Sequence, residues 1–71
     1  MLGPMLVRLD DYPQLRLIAW HRRGVGEIDE QEAFALYEAR WRFIDEATLT
    51  EPERELIRQL KDRWGGGVLN V

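Results

Sequence analysis

The chain has no cysteine and no serine, a single lysine (Lys61) and a single histidine (His21). Without cysteine there is no disulfide and no thiolate metal site. With one histidine, any site that needs two imidazoles is excluded. The only aliphatic hydroxyls belong to Thr48 and Thr50, and Thr50 reads better as a helix cap. Covalent catalysis therefore has almost no candidate, and the expectation is a protein that is not an enzyme. Paired acids at Asp10-Asp11 and Asp45-Glu46 lack the spacing of a calcium loop and read as solvated charge. No cofactor and no metal are expected. No apolar run approaches the roughly 20 residues of a membrane span. The start, MLGPMLVRLDDYP, has no basic flank ahead of a long apolar stretch and makes a poor signal peptide. The chain reads as cytoplasmic.

What is present is aromatic and charged. Trp20, Trp41 and Trp64 join Phe34, Phe43, Tyr12 and Tyr37 in only 71 residues. Each can bury roughly 150–250 Å², so they point to a compact core, a partner surface, or both. Residues 1–71 make a single small domain. A core of this size rarely supplies more than about 3–5 kcal/mol. The net charge of -3 is unevenly spread: residues 1–26 carry +2, residues 27–53 carry -7 and residues 54–71 carry +2. An acidic middle between mildly basic ends is not the footprint of a general nucleic-acid binder.

Two helices are signposted. Over residues 29–44, Asp29 is a good N-cap and Glu32, three residues on, completes a capping-box pair. Phe34, Tyr37, Trp41 and Ile44 form one apolar stripe, and Glu38 can pair with Arg42 one turn later. Over residues 51–64, Thr50 caps, Glu53 answers it, and Pro52 sits in the first turn, where its missing N–H is tolerated. Leu56, Ile57, Leu60 and Trp64 line one face. In both helices acids lead and bases follow, as the helix dipole favours.

The N-terminal third is open to two readings. Residues 13–22 can form a short helix started by Pro13, with Leu15, Ile18 and Ala19 inward. Residues 14–20 can also alternate as a strand. MLVRL before them reads as extended. The fold class expected is all-α: a small bundle of helices at about 29–44 and 51–64, a short N-terminal helix at about 13–22, and an extended tail led by glycine.

The glycines sit at the wrong places for a phosphate loop, which puts glycines before a helix. Gly65 to Gly67 follow one, and the glycines at 24 and 26 are followed at once by acids. Gly65 suits the left-handed C′ position of a helix stop. Val68, Leu69 and Val71 can then return to the core, or pair as a strand with MLVRL or with another chain.

Arg22, Arg23 and Arg42 with Trp20 and Trp41 make a candidate partner-binding surface, since arginine and tryptophan are enriched in protein–protein hot spots. The same residues would serve a small RNA- or DNA-binding module. His21 beside them reads as a surface histidine near a helix C-terminus, where a cation is favoured; the alternative is an acid/base or nucleic-acid contact. Glu27, Asp29, Glu30, Glu32 and Glu38 form a candidate acidic face, able to mimic a nucleic acid or cover a basic site. A third reading is self-association through the aromatic surface.

The segments LRLIAWHRRG, ALYEARWRFID, LTEPERELI and GGGVLNV give the chain a further likeness. From Gln14 on it resembles short uncharacterised bacterial proteins of the kind encoded beside nucleotidyltransferase-type toxins. The resemblance implies an antitoxin-like protein that binds and neutralises or modulates a protein partner, and it brings no catalytic motif. The expected function is thus a non-enzymatic protein-binding module.

Overall fold

Pro13 opens the first helix, and its neighbours explain why that helix needs help from elsewhere. In the computed structural model, which describes residues 6–22 and 24–68, helix α1 spans Pro13–Ile18. Its N-cap is Tyr12, which makes no side-chain cap bond. The free N–H groups of its first turn must find another acceptor. They find the Glu53 carboxylate, far along the chain.

Before α1 lies strand β1, Leu6–Arg8, and after it strand β2, Glu27–Asp29. The two pair antiparallel, with Val7 opposite Ile28. Both of these β-branched side chains are buried. Leu9 N–H to the Gly26 carbonyl, at 3.0 Å, extends the pairing. The all-α expectation is therefore corrected: the chain is mostly helical but carries a small two-stranded sheet. The extended reading of MLVRL holds for Leu6 to Arg8. Its partner is β2, whose last residue, Asp29, also caps the helix that follows.

Helix α2 spans Glu30–Arg40 and helix α3 spans Glu51–Trp64. Both caps form as local chemistry predicts. The Asp29 carboxylate accepts from Glu32 N–H at 2.8 Å, and the Thr50 hydroxyl oxygen accepts from Glu53 N–H at 3.3 Å. α2 is shorter than expected. The chain leaves the α-helix at Arg40 and turns through a 3₁₀ segment, Trp41–Phe43, to an extended Ile44. Trp, Phe and Ile are only middling helix formers, and this segment sits where the chain must reverse toward α3. The N-terminal helix is also shorter than residues 13–22, since a separate 3₁₀ turn takes up Trp20–Arg22.

α2 packs against both α1 and α3. The buried apolar side chains form one cluster drawn from every helix and both strands. Leu15, Ile18 and Ala19 face inward, as do Phe34, Tyr37, Leu56, Ile57 and Leu60. Trp41 and Ile44 pack against the cluster edge. Trp64 does not join its stripe and stays half exposed.

The glycine stop works differently from expectation. Gly65 has φ −115°, outside the left-handed region. Gly66 and Gly67 hold it instead, at φ +62° and +89°. Gly65 is required by space: a Cβ there would lie 2.2 Å from the Val68 carbonyl oxygen and 2.7 Å from the Phe34 ring. The N–H groups of Gly65 and Gly67 both close on the Lys61 carbonyl. Val68 emerges largely exposed rather than returning to the core. Leu69 and Val71 lie outside the described residues.

Candidate functional site

The turn after α1 leaves apolar side chains facing water. α1 buries Leu15 and Ile18, and this rotation sends Leu17 outward, where it is 68% exposed. The Trp20–Arg22 turn then projects Trp20, 47% exposed. Gly24, at φ +84°, turns the chain toward β2 and leaves Val25 at the surface. Leu17, Trp20 and Val25 line one groove of about 660 Å³, with Leu9 and Ala19 also on its walls. Phe43, 57% exposed, stands edge-on to Trp20 with ring centroids 5.8 Å apart. It extends the apolar surface beyond the groove.

Charge is arranged around these rings in fixed pairs. The Arg40 guanidinium lies 3.9 Å from the Trp20 ring centroid and donates to the Ile18 carbonyl at 2.5 Å. It also meets His21 Nδ1 at 3.1 Å. A guanidinium only donates, so Nδ1 is the acceptor in this contact. Arg22 makes a two-pronged bond to Glu32, with both distances 2.6 Å. That bond holds the Glu32 carboxyl below the usual carboxylate range and raises Arg22. The His21 Nε2 stands 3.8 Å from the same carboxylate. Arg42 lies over the Phe43 ring at 5.3 Å.

The residues expected to bind a partner are thus partly assembled and partly dispersed. Trp20, Arg22 and Arg42 are exposed and linked to this surface, Arg42 through Phe43. Arg23 lies outside the described residues. Trp41 is not with them. It packs against the core beside Tyr37, ring centroids 6.4 Å apart. The acidic face is divided as well. Glu27 is exposed on β2, Asp29 is spent as a cap, and Glu32 is tied to Arg22. Glu30 is buried, held by Arg63 at 2.9 Å to both oxygens. Glu38 is half-buried and has an interaction of its own. The Glu38–Arg42 pair presumed a helix through residue 44, and α2 ends at Arg40.

No family model, no curated protein and no solved structure matches this chain. The surface has to be read on its own chemistry. Among the described residues there is no cluster of three metal-ligating side chains, and no helix is long and apolar enough to cross a membrane.

Leu17, Val25 and Phe43 were missed from sequence. For Leu17 a signal was there: in the helical reading it falls outside the inward set Leu15, Ile18 and Ala19. Phe43 likewise lies off the stripe of residues 34, 37, 41 and 44. An aromatic away from the stripe is the one left over for a surface.

A second cluster of polar side chains lies inside. The Glu53 side chain is fully buried. Its carboxylate accepts from Gln14 N–H at 3.1 Å, Leu15 N–H at 2.8 Å and the Tyr37 hydroxyl at 2.7 Å. Burial and the bond to this carboxylate push the Tyr37 hydroxyl far above its ordinary pKa. The expected reciprocal bond from the Glu53 side chain to the Thr50 backbone is replaced by these three. No buried side-chain nitrogen or oxygen is left without a partner among the described residues. With both carboxylate oxygens engaged and the side chain sealed from solvent, this cluster is a clasp between α1, α2 and α3.

Proposed function

We propose that this protein is a protein-binding module whose contact surface is the apolar face of Leu17, Trp20, Val25 and Phe43. The observation that carries the reading is the half-exposed Trp20, propped on one face by Arg40 and at its edge by Phe43. A rigidly held aromatic with flanking arginines is the residue pattern of an interface hot spot. Ordering such a ring in advance lowers the entropy cost of binding. The groove beside it can take one or two apolar side chains from a partner.

The nucleic-acid reading is weaker on the same observations. Single-strand binding needs free cations and open ring faces. Arg22 is neutralised by Glu32, Arg40 covers one face of Trp20, and the net charge is -3. The finer reading, an antitoxin-like protein that neutralises its partner, is supported by the family resemblance alone.

The test is to cross-link and identify the partner in cells, purify it, and measure its affinity for the native chain and for Trp20→Ala and Leu17→Glu. A hot-spot residue costs at least about 2 kcal/mol when truncated, so affinity is expected to fall by about 30-fold or more. Unchanged affinity in both folded variants removes this surface as the interface. Concentration-dependent sedimentation abolished by the same substitutions would assign the face to self-association instead.

A further inference from the structure

The second groove of the molecule shares no lining residue with the first. It encloses about 480 Å³ between α3 and the segment from Trp41 to Leu49. Trp41, Leu49 and Ile57 give it an apolar floor, and Arg54, Arg58 and Lys61 give it a cationic rim. The three cations are spaced four and three residues apart, so they form one stripe along α3.

The three are not equal. Arg58 is paired with Glu55 and Asp62 on its own helix. Arg54 donates only to the neutral carbonyls of Leu49 and Glu46, both at 3.3 Å. No carboxylate of the described residues is in ion-pair range of Lys61. Among the described residues, Glu46 is the one acid on the lining. In a chain of net charge -3, this groove thus holds two cations, Arg54 and Lys61, that form no ion pair among the described residues, above an apolar floor. Arg54 and Lys61 are seven residues apart on one helix, about 10 Å at the α-helical rise. In a peptide of polyproline II conformation, with about three residues per turn and a rise of about 3.1 Å, residues three apart share one face and lie about 9 Å apart.

We propose that this groove binds a short acidic peptide segment of a partner. Two carboxylates three residues apart would meet Arg54 and Lys61, and an apolar side chain between them would rest on Trp41, Leu49 and Ile57. Charge complementarity and the matching spacing favour this occupant. A nucleic-acid strand fits less well: the one aromatic among the described lining residues, Trp41, is already engaged edge-on with Tyr37, and the net charge repels a polyanion.

The experiment titrates the full ¹⁵N-labelled chain with an eight-residue peptide carrying a Glu-Leu-Ala-Glu core. Shifts are expected at the Trp41 indole and at the amides of Leu49, Ile57 and Lys61. Replacing both peptide glutamates by glutamine, or making Arg54→Gln with Lys61→Gln, should weaken binding by roughly fivefold per ion pair lost, since such exposed pairs are individually modest. Arg58→Gln should weaken it less, because Arg58 already has partners. No shift at these residues at low salt, or equal binding of the glutamine peptide, overturns the proposal. So does tighter binding of oligothymidylate at the same residues. The same shifts arising on concentrating the chain alone would give the groove to a second copy and equally overturn it.

Discussion

Helices α2 and α3 begin with the same local device, a capping side chain followed by glutamate three residues later, and the two glutamates meet opposite fates. Asp29 and Thr50 each accept from the backbone N–H of their glutamate. Glu32 then turns outward to Arg22 at the rim of the aromatic surface. Glu53 turns inward and is sealed from solvent, bound to two N–H groups of α1 and the Tyr37 hydroxyl. The difference comes from what lies beside each helix. Next to α3 is a helix whose own N-cap, Tyr12, makes no cap bond. Next to the start of α2 is the Trp20–Arg22 turn with an arginine on offer. One motif thus serves as a structural clasp in one place and as surface charge in the other.

The sharpest way to break the comparison is to remove each carboxylate in turn. Glu53→Ala strands two backbone N–H groups and one hydroxyl in the interior. An unsatisfied buried group costs about 1–3 kcal/mol, so the total of about 3 kcal/mol or more approaches the whole stability of a domain this small. The variant is expected to be largely unfolded by circular dichroism at room temperature. Tyr37→Phe removes one donor and leaves the α1 bonds in place; a loss of about 1–2 kcal/mol is expected in urea unfolding. Glu32→Ala exposes nothing buried and should leave the urea midpoint nearly unchanged. Equal losses for Glu53→Ala and Glu32→Ala would show that the clasp contributes no more than the surface pair.

The caps themselves give an intermediate effect. Asp29→Ala and Thr50→Ala should each cost about 1 kcal/mol. Asp29→Ala should be the larger loss, because its bond is shorter, 2.8 Å against 3.3 Å, and its charge also favours the positive end of the helix dipole. Urea unfolding of the two variants under identical conditions checks the order. A larger loss for Thr50→Ala would mean that the cap positions Glu53 as well as closing its own turn.

These regions also show what a sequence can disclose. Caps are local, so Asp29 and Thr50 were legible. The destination of Glu53 was not, because two of its three partners, Gln14 and Leu15, lie nearly forty residues away and the local motif supplies a plausible wrong answer. A clue was present: Tyr12 before Pro13 offers α1 no cap, and the free N–H groups at Gln14 and Leu15 had to be met from elsewhere. β2 was hidden by its length of three residues and by a partner strand on the far side of α1. Gly65 was legible as a stop, but its reason is contact with Val68 and Phe34 rather than a left-handed backbone. Of the proposed surface, Trp20 and Arg22 were singled out from sequence by the arginine–tryptophan pairing, while Leu17 and Phe43 were passed over because no arginine–tryptophan pattern drew attention to apolar residues lying off the inward faces.

The smallest expected effect concerns protonation at the outer pair. The Arg22 bond holds the Glu32 carboxyl below its ordinary range, and partial burial opposes this. A carboxyl whose folded-state pKa is lowered stabilises the fold at pH above its unfolded value, about 4.3 for glutamate. That contribution is lost as pH falls through the lowered folded value. The pair should therefore contribute its full, modest share at neutral pH and part only in stronger acid than an isolated glutamate requires. Carboxyl ¹³C titration of Glu32 reads this directly. Arg22→Gln should return the titration toward the ordinary value without unfolding the chain. If Glu32 in the native chain already titrates at that ordinary value, the two-pronged bond does not persist in solution. Arg22 would then be a free cation beside Trp20, and the nucleic-acid reading of that surface would regain the charge it lacks.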